Sequence, residues 1–576
     1  MPIVPPPPPP PIVTPSPFVS VSPATPSPVV TPTPVATNPA SVMPSPGASA
    51  QPSPPANQLA LGKTRLQLNV GAASAPISIF NGLPPLRAML SAPVADVRLD
   101  PARNTLVVRG LTNGTATLTI SDASGAMVTA SVLVAANAGF VPSDVNVALT
   151  GNPTSDFAAA QIHAALLRAV QPLPGSAVIP GSAQLPPSLG PGERIDAPLR
   201  FHVDGHNQYV DVDGVANIHI TIAAATPIPP TVLLYSDDPE QLTEDGVLFR
   251  GMLTHERPVR LYYYHQTKIP NESVVIVLDT PAGTARVNVI GRGAGPNPAI
   301  FYVGQSATYR FLDDHARNAG VDLDVPVGAP LVIFTSDTAM KRGDLVAGAL
   351  DFALTDGSPV RVSVLALSPA TELATLLGTQ ELPSDGKQRR GVYDIAQPFS
   401  LALAYAVGGP EPTPVTVGAG DPPIPSQRAG GRALAGDYGI LRNVRLALTN
   451  PTQAPAIVYL YEKPIGYPVT TTIDFTGDSV PTRLQCAKQP ERYLVRAFDV
   501  PADGNVTITG SYMTDGGSTY PLDFGLTSTP PSPLPVSMTA PDGCFPKPAA
   551  AAPSSTPSPP PPPTSTPVPA PTSLPT

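Results

Sequence analysis

The feature that most limits what this chain can fold into is the placement of its prolines and charges. No Asp, Glu, Lys or Arg precedes Lys63 and none follows Lys547, so all 33 basic and 42 acidic residues lie between them. Proline crowds the charge-free ends: 21 of the 82 fall between Met1 and Pro55, and 12 between Pro548 and Thr576. Each proline fixes φ and lacks a backbone donor, so such stretches favour polyproline II and build neither sheet nor helix. With few large apolar side chains they cannot offset the entropy of ordering, and residues 1–60 and 547–576 are expected to be disordered, Pro-rich tails. Ser/Thr/Pro segments of this kind suit an extended, O-glycosylated stalk or a plain solubilising extension.

Charge narrows the function classes. A net charge of -9 and a pI near 5.3 argue against a nucleic-acid partner. Charged residues are only 13% of the chain, too few for a coiled coil or long helical bundle. No run of about 20 apolar residues is present, so no transmembrane segment is expected. The opening Met1-Pro2-Ile3 has neither the basic start nor the apolar core of a secretory signal. Stalk-like ends and two cysteines still fit an exported bacterial protein, and a start upstream of Met1 would reconcile the two.

Between the tails, short apolar segments alternate with turn signals, which predicts an all-β protein of tandem β-sandwich domains with one or two short helices. In residues 61–136, segments such as RLQLNV, TLVVRG and MVTASVLV are separated by Asn81-Gly82, Asp100-Pro101, Asn113-Gly114 and Ser124-Gly125. Leu118 and Ile120 share one face of a strand, and Thr117 and Thr119 take the other. The order Leu66–Gly71, Val94–Val97, Leu106–Leu111 and Gly114–Leu118, followed by Asp122 and Gly125, resembles bacterial Ig-like domains of group 2 and the N-terminal module of pilus-assembly secretins. That resemblance implies an Ig-like sandwich acting as a spacer or docking unit.

Residues 137–195 are expected to be a linker carrying one helix over 155–170. Ser155 would cap it, and Phe157, Ile162, Ala165, Leu166, Ala169 and Val170 would form its apolar stripe, with His163 beside the stripe as a solvated or capping residue. Strands then recur to about Leu526, interrupted by a Pro/Gly-rich linker at 409–431, giving sandwiches at 196–408 and 432–546. A second helix is predicted over Gln305–Asn318. The run Gly291–Gly295 ends at Pro296 and is expected to be a loop. Met513–Ser518 reads as hairpin chemistry.

Four side-chain groups stand out as candidate sites. If Asp213-Gly214 forms a two-residue hairpin turn, His202, Asp204, His206 and His219 project from one face and can hold zinc or copper. Asp237, Asp238, Glu240, Glu244 and Asp245 place five carboxylates in one loop, a hard-oxygen set suited to calcium. Tyr262 and Tyr264 alternate on a strand and suit an aromatic binding platform. Cys486 and Cys544, the only cysteines, are expected to form a disulfide in an oxidising compartment. No G-x-S-x-G, H-E-x-x-H or Walker A motif is present. The expected function is therefore that of an exported bacterial cell-surface or periplasmic protein, non-catalytic, that binds a cell-envelope protein or polysaccharide or acts as a structural spacer. A pilus or secretion-system component and a polysaccharide-acting hydrolase are the alternatives.

Overall fold

Alternating burial in the first ordered segment builds a sandwich of two four-stranded sheets. The computed structural model describes residues 58–531 apart from 187–188, 337–338, 388, 420–422, 435, 467 and 488–489, so the expected tails lie almost wholly outside the described residues. One sheet joins Ala60–Leu61, Ile77–Phe80, Thr105–Gly110 and Ala95–Asp100; the other joins Arg65–Leu68, Met127–Val134, Gly114–Ser121 and Arg87–Leu90. Leu118, Ile120, Leu106 and Val108 are fully buried between them, as the alternation predicts. Asp122 closes the last turn by accepting from the backbone N–H of Ser124 and of Ala126.

The central region is organised around one 12-stranded sheet. Its path runs through Arg194–Asp204, Val212–Ala223, Asp144–Thr150, Gly320–Val325, Ala285–Ile290, Leu345–Gly357, Val259–Thr267 and Val232–Ser236. Residues 137–195 are therefore not a linker. Asp144–Thr150 is an interior strand, parallel to Val212–Ala223 and antiparallel to Gly320–Val325. Helix α1 (Ser155–Val170) follows it, capped by Thr154 rather than Ser155, with Phe157, Ile162, Leu166 and Val170 buried against the sheet. A four-stranded sheet of Gly246–Leu253, Val360–Leu367, Ser273–Asp279 and Leu331–Thr335 covers the same face further along.

Helix α2 (Ile300–Ala316) packs on the opposite face of the large sheet, starting earlier than its expected position. There Leu345, Ala347 and Ala349 turn one way from their strand, and Val346, Leu350 and Phe352 turn the other. Both sets are buried, because this strand is covered on both faces. The expected loop at Gly291–Gly295 instead runs into a strand, Gly293–Asn297, paired with Leu345–Gly357. A Cβ on Gly293 would stand 2.0 Å from the Tyr263 hydroxyl, so glycine is needed for that approach.

The C-terminal sandwich pairs a five-stranded sheet with a four-stranded one. It begins before the expected boundary at 408: Phe399–Ala406 pairs in parallel with Leu441–Asn450. The Pro/Gly-rich stretch 409–431 is not wholly linker either, since Val415–Val417 pairs with Leu522–Thr527. The turn at Met513–Ser518 lies against α2, so closely that a Cβ on Gly304 would stand 1.7 Å from the Gly516 carbonyl oxygen.

Candidate binding groove

The histidine set does not converge. The hairpin turns at 205–211, with His206 and Asn207 in the left-handed region, and not at Asp213-Gly214. Asp204 Oδ1 accepts from the His206 N–H, and Asp211 Oδ1 accepts from the Gly205 N–H. Gly214 lies inside the strand, where a Cβ would stand 2.3 Å from the Phe201 ring; it is glycine for packing rather than for turning. In this register His202 pairs with Asp213 at 2.9 Å, whereas His219 meets Asp196 at 2.6 Å and Asp144 at 3.2 Å. Six residues of strand, roughly 20 Å, separate the two histidines' positions along the ladder. The hydrogen bond with Asp196, then that with Asp144, raises the His219 pKa.

The five carboxylates of the expected calcium loop divide into separate groups. Asp238 accepts from Ser384 Oγ at 2.5 Å and from the Asp385 N–H at 2.7 Å. Asp237 is buried beside it with Oδ1 unbonded, and burial, reinforced by Glu240, pushes its pKa well above the carboxylate range. Glu244 is exposed. Asp245 turns elsewhere and accepts from the Ser368 N–H and hydroxyl and from Thr371. Burial opposes its ionisation, but those hydroxyls outweigh it and lower the Asp245 pKa, while burial and Asp245 together push neighbouring Glu272 up to about 8. Among the described residues no group of three or more His, Cys, Asp or Glu is arranged to hold a metal ion.

Tyr262 and Tyr264 form no exposed platform. Both are buried, at 4% and 9% exposure, where the large sheet meets α2 and the C-terminal sandwich. Tyr262 stacks on Tyr235 at 5.1 Å between ring centroids and leans on Tyr438 at 6.3 Å. The aromatic faces are spent on holding domains together. Cys544 and the side chain of Cys486 lie outside the described residues.

A different concavity lies beside α1 and α2. A groove of about 1840 Å³ runs between α1, α2 and the strand Leu331–Thr335. Its floor is the large sheet, through Val289, Val321, Leu323 and Leu350. One wall is the polar face of α1, where Ala159, Ala160 and Ala164 keep the helix surface low. His163 also faces the groove; its Nε2 is buried and unbonded, so this histidine is neither solvated at that atom nor a cap. The second wall is Leu331–Thr335, which among the described residues is an edge strand paired only with Ser273–Asp279. Among the described residues its other edge has no strand partner, and its residues line the groove.

The α2 end of the groove is basic and aromatic. Arg292 is bidentate to Asp314 at 2.9 Å, and Arg317 pairs with Asp313 at 2.9 Å. Arg168, Arg310 and Arg483 also line the groove, and among the described residues none has a carboxylate within ion-pair distance. Arg483 lies 3.5 Å over the Tyr309 ring, and Arg310 donates to the Gly293 carbonyl oxygen at 2.6 Å. Burial lowers the pKa of both Arg168 and Arg483. Among the described residues, Asp156 and Asp313 are the acidic ones that line it. Sequence reading missed this site because its arginines come from segments scattered between Arg168 and Arg483. The one local signal was Tyr309-Arg310 on the predicted helix.

No protein-family model matches the chain, and no curated protein sequence matches it. Among solved structures, an I-band fragment of titin shares 8% identity over 36% of this chain and 78% of its own, with a TM-score of 0.13. Tandem Ig repeats of Dlar share 10% over 29% of this chain and 100% of theirs, with a TM-score of 0.12. A SusE-like, surface-located polysaccharide-binding protein from the Bacteroides thetaiotaomicron heparin utilisation locus shares 9% over 53% of this chain and 60% of its own, with a TM-score of 0.13. The fold of this chain is all-β, built of tandem sandwiches.

Proposed function

We propose that this is an exported bacterial cell-surface or periplasmic protein that works by binding, with the α1–α2 groove as its ligand seat. The observation that supports it is the groove itself: about 1840 Å³, floored by the large sheet and edged by Arg168, Arg310 and Arg483, which among the described residues have no carboxylate within ion-pair distance. Rigid walls around a pre-formed concavity are the usual setting for a ligand site. A glycosidase needs two carboxyl groups facing each other across the bond, about 5 to 9.5 Å apart. Of the two acids that line this groove among the described residues, Asp313 is already held by Arg317. That arrangement favours binding over hydrolysis. The N-terminal sandwich then serves as the spacer that its likeness to Ig-like modules implies.

The test is to fill the groove. Ala160→Trp puts a large ring on an exposed position of α1 without touching the core. Against a panel of envelope polysaccharides and peptides, a ligand bound by the wild type is expected to be lost by this variant. Retained binding of every ligand would refute the groove. A second reading, as an assembly component of a pilus or secretion system, is favoured by the open edge of Leu331–Thr335, which can accept a partner's strand. Peptides in place of polysaccharides on that panel would select it.

A further inference from the structure

We infer that Arg310 and Arg483, with Tyr302 and Tyr309, form a subsite for a uronic-acid unit of an acidic linear glycan. The inference rests on the groove being the ligand seat and adds the chemical class of what it holds.

Two guanidinium groups face the same end of the groove from different domains, Arg310 from α2 and Arg483 from the strand Thr482–Ala487. Burial is the main cause that disfavours the charge on Arg483; Tyr309, Asp515 and Tyr302 oppose it, and Arg310 adds to it. Among the described residues, the carboxylates nearby are committed or buried. Asp314 gives both oxygens to Arg292, and Asp515, fully buried behind Arg483, is pushed up to about 6 by its burial. Arg483 Nε is itself buried and unbonded. Asp515 and Asp314 act on these guanidiniums, but among the described residues neither makes an ion pair with Arg310 or Arg483; like charges held together favour an anion that bridges them, and guanidinium forks suit a carboxylate.

The tyrosines select a saccharide over an acidic peptide. Tyr302 and Tyr309 are seven residues apart on α2, which places them on one face about 10 Å apart along the axis. Tyr302 is 52% exposed and Tyr309 is half-buried, its ring already carrying Arg483 at 3.5 Å. An aromatic face with a polar rim accepts the apolar face of a sugar ring and leaves its hydroxyls in water. A carboxylate on that ring would then reach the arginines.

The experiment is calorimetric titration of the full chain with hexagalacturonate, using neutral maltohexaose, poly-glutamate and sodium sulfate as comparison probes. Hexagalacturonate is expected to bind and maltohexaose to fail. Arg310→Gln and Arg483→Gln should each weaken binding by about tenfold or more, the size expected for a charged hydrogen bond. Arg310 is exposed, so Arg310→Glu keeps the test valid should the Arg483 variant melt early. Hexagalacturonate binding that survives the arginine changes but is lost in Ala160→Trp overturns the subsite and leaves the groove reading standing. Binding that survives all of them overturns both. Equal affinity for poly-glutamate, competition by sulfate at matched concentration, or no hexagalacturonate binding overturns the saccharide assignment.

Discussion

Glu462 projects from the strand Ala456–Pro464 into the C-terminal sandwich, fully buried, and neither of its oxygens nor the adjacent Thr471 Oγ1 has a hydrogen bond of good geometry. Burial pushes its pKa up to about 8, opposed by Thr471, and Glu272 reaches about 8 through burial and Asp245. A folded pKa above the unfolded one gives stability that is complete below about pH 4.5, where both states are protonated. That stability is lost as pH rises toward 8, because the unfolded carboxyl ionises and the folded one does not. Thermal melts should therefore fall between pH 5 and pH 8, with Glu462 alone accounting for a loss on the order of 3 kcal/mol. Glu462→Gln should flatten part of that slope and raise the melting temperature at pH 8. An unchanged slope in the variant would show that the buried carboxyl does not set it.

At the scale of elements, the contacts between α2 and the 514–518 turn, and the strand Asp144–Thr150, are the joints on which the architecture depends. Gly304 lets the helix touch the backbone of Gly516, so Gly304→Ala must push the two apart. The expected cost is about 2 kcal/mol, measured by urea unfolding, despite alanine's better helix propensity. Leu149 is 1% exposed inside the large sheet, and Leu149→Ala should cost about 3 kcal/mol. That loss distinguishes an interior strand from a linker, where the same change would be nearly silent. The strand was hard to place from sequence because its partners lie about 70 and 170 residues away. The hairpin register failed for a local reason: glycine at 214 serves the Phe201 ring, and Asp-Gly imitates a turn.

For the whole molecule, the central sheet and the C-terminal sandwich share a buried layer of Tyr235, Tyr262, Tyr264, Tyr393, Leu434, Ile440 and Met513. Arg260, 2% exposed and bidentate to Asp351, lies 4.7 Å over Phe311 in the same region. Breaking either partner of such a pair leaves a buried charge. Tyr262→Ala should remove about 3 kcal/mol from this junction. Limited proteolysis should then cut between Asp394 and Phe399 and release the C-terminal sandwich, which the wild type should resist. The groove depends on this junction, since Arg310 and Arg483 come from its two sides.

The all-β class, the N-terminal sandwich and the position of α1 were legible in the chain itself. Alternation at Thr115–Ile120 and the 3.6-residue stripe from Phe157 to Val170 are local patterns, and local backbone geometry obeys them. Tertiary structure decided which apolar residues face protein rather than water, and which polar ones meet. Tyr262 and Tyr264 alternate as a surface pair would, yet a second domain covers them. His202 and His219 share a face but sit too far apart along it, because the hairpin closes at 205–211. Arg310 and Arg483 show no pattern in sequence; only the docking of α2 against the C-terminal sandwich brings them to one groove. Periodicity carries information about neighbours three or four residues away, whereas a binding site is made by contacts whose sequence separation no periodicity encodes.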